Sequence, residues 1–173
     1  IENQGYQKEI DWVEYKLTNN PKYAEKIEKV AKRSLELSNL HIADNAISKK
    51  AYINKYKDGF FYCLDECYRE LYGTVPFTEE MKKEMVDQFM LILNNKYLLF
   101  ICDENEKVVA FALCLPSIGK SLQKSGGKLT PLAILRLLKS VKNPEIIDLG
   151  LIGVLPEYQK KGINAVALDC LVK

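Results

Sequence analysis

Residues 150–165, GLIGVLPEYQKKGINA, carry the residue types in this chain best suited to hold an anion. Gly150 and Gly153 interrupt an apolar run, as at a bulge or where another group comes close to the backbone. After Pro156 a polar turn, Gln159 to Asn164, leads into a helix expected to start near Asn164. The first N–H groups of a helix have no partner inside it, and the helix dipole adds partial positive charge there. Gly162 lets a phosphate come close to the main chain, and Lys160 and Lys161 add charge. The combination predicts a pyrophosphate cradle. An ordinary strand-to-helix turn with solubilising lysines accounts for the spacing equally well.

The other chemically active residues make weaker patterns. Gly119-Lys120-Ser121 imitates the end of a phosphate-binding P-loop, but Cys114 stands where that pattern requires its first glycine. His41 is the only histidine, with no Ser or Cys partner recognisable nearby, so no hydrolytic triad can be argued. Cys63 and Cys67 lie one helical turn apart and could share a face as metal ligands; two small residues on a buried helix side is the favoured reading. Cys102 and Cys114 fall in apolar strand-like runs and read as core. With Cys170 the count is five, without paired C-x-x-C spacings, which is neither a disulfide framework nor a zinc site. Free thiols point to a reducing cytoplasm. Asp65-Glu66, followed a turn later by Arg69-Glu70, reads as exposed helix pairs rather than a carboxylate in a pocket.

These residues must be positioned by the surrounding elements. Tyr6 to Leu17 alternates around Ile10, Trp12 and Tyr15 and predicts a strand. Asn19-Asn20-Pro21 then opens an amphipathic helix through Tyr23, Ile27, Val30, Ala31 and Leu35. A short strand is expected in NLHIA, and a second, aromatic-rich helix over Lys49–Tyr72. A third follows over Thr78–Leu93, with Thr78 as its cap and Glu79 and Glu80 in its first turn. Tyr97–Cys102 and Val108–Leu115 flank the turn Glu104-Asn105-Glu106 as a hairpin, with Pro116 ending the second strand. A flexible, lysine-bearing segment and a helix from about Pro131 precede Ile146–Val154, whose almost continuous apolar run predicts a central strand buried on both faces.

Composition narrows the class. The 173 residues are 47% hydrophobic and 28% charged, with a net charge of +2. That length fits one domain, or one domain and a piece of another, with a real core. The charge balance, and only Arg33, Arg69 and Arg136 as arginines, argue against a nucleic-acid partner. No run approaches the roughly 18 apolar residues of a membrane span, so no membrane partner is expected.

The segment LIGVLPEYQKKGINAVAL resembles the acetyl-CoA-binding stretch of the GNAT acyltransferase superfamily: a hydrophobic strand, Val-x-Pro-x-Tyr, then [Gln/Arg]-x-x-Gly-x-[Gly/Ala]. Gln159 and Gly162 match, and Asn164 stands where Gly or Ala is usual. ECYRELYGTVPFTEEM, the LLFICDENEKVVAFALCLP hairpin and SLQKSGGKLTPLAILRLLK are similar in kind and order to the second, GNAT-like half of longer bacterial tandem proteins, many of them uncharacterised. The resemblance covers roughly residues 40–173. It implies an α/β GNAT-like fold: a mixed, mostly antiparallel sheet flanked by helices. Residues 1–17 would be the closing strand of a preceding GNAT-like domain, 18–39 a connecting helix, and 40–173 a domain lacking its C-terminal strands.

The same resemblance implies an acyl-CoA-dependent N-acyltransferase, an N-acetyltransferase in the first instance, acting on a small-molecule or peptide amine, with this stretch alone inactive. Acetyl-CoA or another acyl-CoA would be the co-substrate. Its pantetheine would contact the backbone of Ile152 and Val154, and its pyrophosphate Gln159, Lys160, Lys161, Gly162, Ile163, Asn164 and Ala165. No catalytic acid or base is assigned, Glu66 and Glu70 being guesses at the base. The alternative is a non-catalytic GNAT-like module for binding or scaffolding. Without its last strands one sheet edge stays unpaired, so a homodimer, or a strand borrowed from Ile10–Leu17, is expected.

Overall fold

The computed structural model describes residues 2–18, 20–90 and 93–172. Asn19, and Leu91 and Ile92 of the expected third helix, lie outside the described residues, as do Ile1 and Lys173. The chain is an α/β structure with an antiparallel sheet flanked by helices. Its strands lie side by side in chain order: β1 (His41–Ile42), β2 (Leu98–Cys102), β3 (Val108–Pro116) and β4 (Ile147–Val154). All three pairings among the described residues are antiparallel, so the parallel component of the expected mixed sheet is not part of them.

One face carries α2 (Lys49–Tyr68) and α3 (Glu79–Phe89). Phe60 meets Phe111 edge-on at 4.9 Å between ring centres, and Phe100 takes Tyr52 and Tyr56 at 5.3 Å each. Ser48 caps α2 and Thr78 caps α3, each accepting a backbone N–H at 3.3 Å, with Glu79 and Glu80 in the first turn of α3 as the sequence predicts. The other face carries α6 (Ile163–Val172), backed by α1 (Pro21–Ser38). Asn20 caps α1, with Pro21 at its permitted first-turn position. Phe111 and Cys114, three apart on β3, point to opposite faces by the period of two. Phe111 accordingly meets α2, while Cys114 shares a cleft with Ile27 and Leu168.

Three expectations are corrected. Tyr6–Leu17 forms no strand: the backbone is irregular and Trp12 and Tyr15 are exposed. Alternation makes a strand only where a neighbour takes its N–H and C=O groups, and no described strand pairs with it. Ile146–Val154 is not a central strand buried on both faces. It is the last strand of the described sheet, and residues 147–150 are exposed. The segment after Pro116 is not a flexible loop, because Gly119–Ser125 is a helix, α4. Its end is closed by Gly126 in the left-handed region, whose N–H reaches Gln123 and Leu122 carbonyls. Helix α5 (Pro131–Lys142), capped by Thr130, lies against it, with the Ser121 and Ser140 hydroxyls 2.7 Å apart.

Candidate functional site

The free edge of β4 is where sequence and geometry meet. Leu155 donates its N–H to Val109 O at 2.9 Å, which makes 109/155 a hydrogen-bonded pair of the ladder. Antiparallel pairs alternate, so Phe111/Gly153 is bonded too, while Ala112/Ile152 and Ala110/Val154 are not. The backbone groups of Ile152 and Val154 therefore point away from β3. These are the two residues expected to meet a pantetheine arm. Both edges are engaged by side chains: the Tyr68 hydroxyl accepts Ile152 N–H at 3.2 Å and donates to Ile152 O at 3.0 Å. Gln159 donates its amide to Val154 O at 3.1 Å.

Gly150 is an extra residue on β4, since Leu113 pairs with Leu151 but Cys114 with Leu149. The predicted bulge is therefore present. The close approach predicted at Gly153 comes from the protein itself. A Cβ there would lie 2.6 Å from Phe111 Cε1 and 3.0 Å from Cys67 Sγ.

Beyond Pro156, one 3-10 turn leads through Gln159 to Lys160 and Gly162, both in the left-handed region at φ 61 and 78. Helix α6 starts at Ile163, and Ala165 N–H closes on Gly162 O at 2.9 Å. No acceptor among the described residues takes the N–H groups of Lys160, Lys161, Gly162, Ile163 or Asn164. Lys160, Lys161 and Asn164 are exposed, with the Lys161 ammonium 5.0 Å from the centre of the Tyr158 ring. The Ile163 side chain is core, so only its backbone can reach a ligand. Gln159 faces the strand rather than the turn. Gly162 has a structural cause: a Cβ would sit 2.5 Å from Ser34 Oγ of α1.

Beside the Ile152 edge opens a cavity of 580 Å³, lined by Tyr68, Asp65, Glu66, Phe77, Met81 and Leu151 among others. Asp65 accepts the Phe77 N–H at 3.3 Å, and Glu66 pairs with Arg69. Both carboxylates that the sequence suggested to be exposed are thus half-buried on the wall of a cavity, while Glu70 stays exposed. Burial pushes the Tyr68 hydroxyl above its usual range. Cys63 and Cys67 share a face with sulfurs 3.8 Å apart. The hydrogen bond to Cys67, then burial, raises the Cys63 thiol; the same bond lowers Cys67. No group of three metal-ligating side chains occurs among the described residues.

A second polar cluster escaped the sequence reading. Glu106, at φ 62 in the hairpin turn, takes His41 at 2.9 Å, Lys55 at 2.7 Å and Tyr56 at 2.9 Å. Lys55, then Tyr56 and His41, hold its carboxyl down at about 2. The four residues come from β1, α2 and the turn, so no local spacing announces them. They clamp the hairpin to the helix.

No known family model, curated protein or solved structure matches the chain. Function rests on the geometry of the β4 edge and the turn that follows it.

Proposed function

We propose that this chain is an acyl-CoA-dependent N-acyltransferase module of GNAT type, with acetyl-CoA the first candidate co-substrate. The observation that carries the reading is the bulged β4, whose outward Ile152 and Val154 groups run through Pro156 into the Gln159–Ala165 turn. Five N–H groups without acceptors among the described residues and two exposed lysines there suit a pyrophosphate. Acetyl-CoA would supply the activated thioester. Ile152 N–H is the donor available to polarise its carbonyl, which requires the Tyr68 hydroxyl to move off. The amine would attack that carbonyl directly, arriving from the cavity beside Tyr68, where Asp65 and Glu66 offer carboxylates to a cationic group. Met81, Phe77 and Leu151 would hold an apolar body.

One observation favours a second reading, a non-catalytic module of the same fold: Tyr68 already takes both backbone groups of Ile152 and Gln159 the Val154 carbonyl, and Gly162 is packed on Ser34. Calorimetric titration of the protein with acetyl-CoA separates the two. Binding should weaken roughly tenfold in Lys160→Ala/Lys161→Ala, the loss of about one charge-assisted hydrogen bond. Absence of binding, or equal affinity in that variant, leaves the non-catalytic module.

A further inference from the structure

Helix α5 breaks the usual order of a surface helix. Ile134, Leu135 and Leu138 are exposed by 46%, 64% and 60%, with Leu129 and Leu132 outward beside them at 70% and 56%. At 100° per residue, Ile134, Leu138 and Leu135 form one stripe, and Lys139 and Arg136 flank it. Ala133 and Ser140 face the other way, towards α4. The cationic flank borders a polar cavity of 350 Å³ between α4 and α5, which Lys120 and Lys124 also line. Of these four cations only Lys120 is paired, with Glu145 at 3.0 Å. Lys124, Arg136 and Lys139 form no salt bridge among the described residues, although Lys124 and Lys139 lie close enough to act on Glu145. Their fields converge on the cavity: Glu145 is held below the usual carboxylate range by Lys120 first, with Lys124 and Lys139 adding to it. Like charge gathered around a cleft favours an anion.

An unpacked apolar stripe beside a cationic one matches a helix lying in a lipid headgroup layer. We propose that the α4–α5 hairpin docks on an anionic membrane surface, with the α5 leucines entering the headgroup–acyl boundary and the cavity taking a lipid phosphate. Charge complementarity selects this occupant. A second copy meeting the same face about a two-fold axis would bring Arg136 and Lys139 towards their own counterparts. A nucleic acid would leave the leucines in water. No helix among the described residues is long and apolar enough to cross a membrane, but lying on a surface requires none. The proposal departs from the expectation of no membrane partner, whose ground, the lack of a spanning run, does not bear on a helix lying on a surface.

The test is co-sedimentation with phosphatidylcholine vesicles, with and without phosphatidylserine. Phosphatidylserine should raise the partition constant about a hundredfold, roughly fivefold for each of the three unpaired cations. Lys124→Ala/Arg136→Ala/Lys139→Ala should abolish that gain. Leu135→Ser/Leu138→Ser should weaken binding to the same vesicles about tenfold or more, with circular dichroism unchanged because both side chains are exposed. Equal partition into both vesicle types, or full binding by either variant, overturns the proposal. So does binding of inorganic phosphate without vesicle binding, or a dimer in light scattering that Leu135→Ser/Leu138→Ser dissolves.

Discussion

Replacing Gly153 by alanine probes the contact that sets α2 against β4. The new methyl would stand 2.6 Å from Phe111 Cε1, 2.9 Å from Phe111 Cζ and 3.0 Å from Cys67 Sγ. Phe111 is wedged against Phe60 and buried to 1% exposure, so its ring has nowhere to swing. Forcing a methyl into a packed core costs about 1–3 kcal/mol. For a chain of this length that lowers Tm by roughly 2–12 °C. Gly150→Ala on the same strand is the control: its Cβ would meet only Leu113 O, at 3.5 Å, an ordinary contact. Phe111→Leu should recover part of the loss in the Gly153→Ala background, a coupling of about 0.5–3 kcal/mol that independent sites do not show. Urea unfolding followed by far-ultraviolet circular dichroism is the assay, since the single tryptophan, Trp12, is 72% exposed and reports poorly on the core. Equal midpoints for Gly153→Ala and Gly150→Ala would refute the account of how α2 is seated.

Tyr68→Phe removes both hydrogen bonds to Ile152 and should lower stability by about 1–2 kcal/mol. If Ile152 N–H serves an acyl carbonyl, the same variant should bind acetyl-CoA several-fold more tightly, and looser binding would show that Tyr68 helps rather than competes. Glu106 gives a pH signature: its carboxyl is depressed to about 2 in the fold, so its contribution is full above the ordinary carboxylate value of 4.5 and fades as pH falls towards 2. Glu106→Gln should flatten stability across that window in acid titrations, and an unchanged profile would place the acid sensitivity elsewhere.

Helix identity was readable where caps and periodicity agreed. Asn20-Pro21, Thr78 with Glu79 and Glu80, and Pro131 each mark a helix start that the structure keeps. The hairpin and the bulged glycine strand were readable for the same reason: their signals are local. What escaped is non-local. Tyr68 reaches Ile152 across 84 positions, and Glu106 gathers partners some 50 and 65 positions away. Gly162 looked like a concession to a ligand because Ser34, which needs the space, lies on another helix. Continuous apolarity in β4 suggested two covered faces, yet such a run also suits a strand with one layer below part of it and another above the rest.

That last arrangement follows from Gly150. Ile147 and Leu149 share a cleft with Ile27 and Leu168, whereas Leu151 lines cavities beside Phe61 and Gly153 lies under Cys67. All four are odd-numbered, yet they serve opposite layers, because the extra residue shifts the strand's phase by one. Deleting Gly150 would leave Leu149 opposite Cys114 and Leu151 opposite Leu113, a regular ladder in which every remaining residue keeps its layer. Inserting or deleting a residue in the regularly paired part of the strand would instead turn every residue on one side of the change to the other layer, so Gly150 is a position where β4 can lose a residue without inverting its faces.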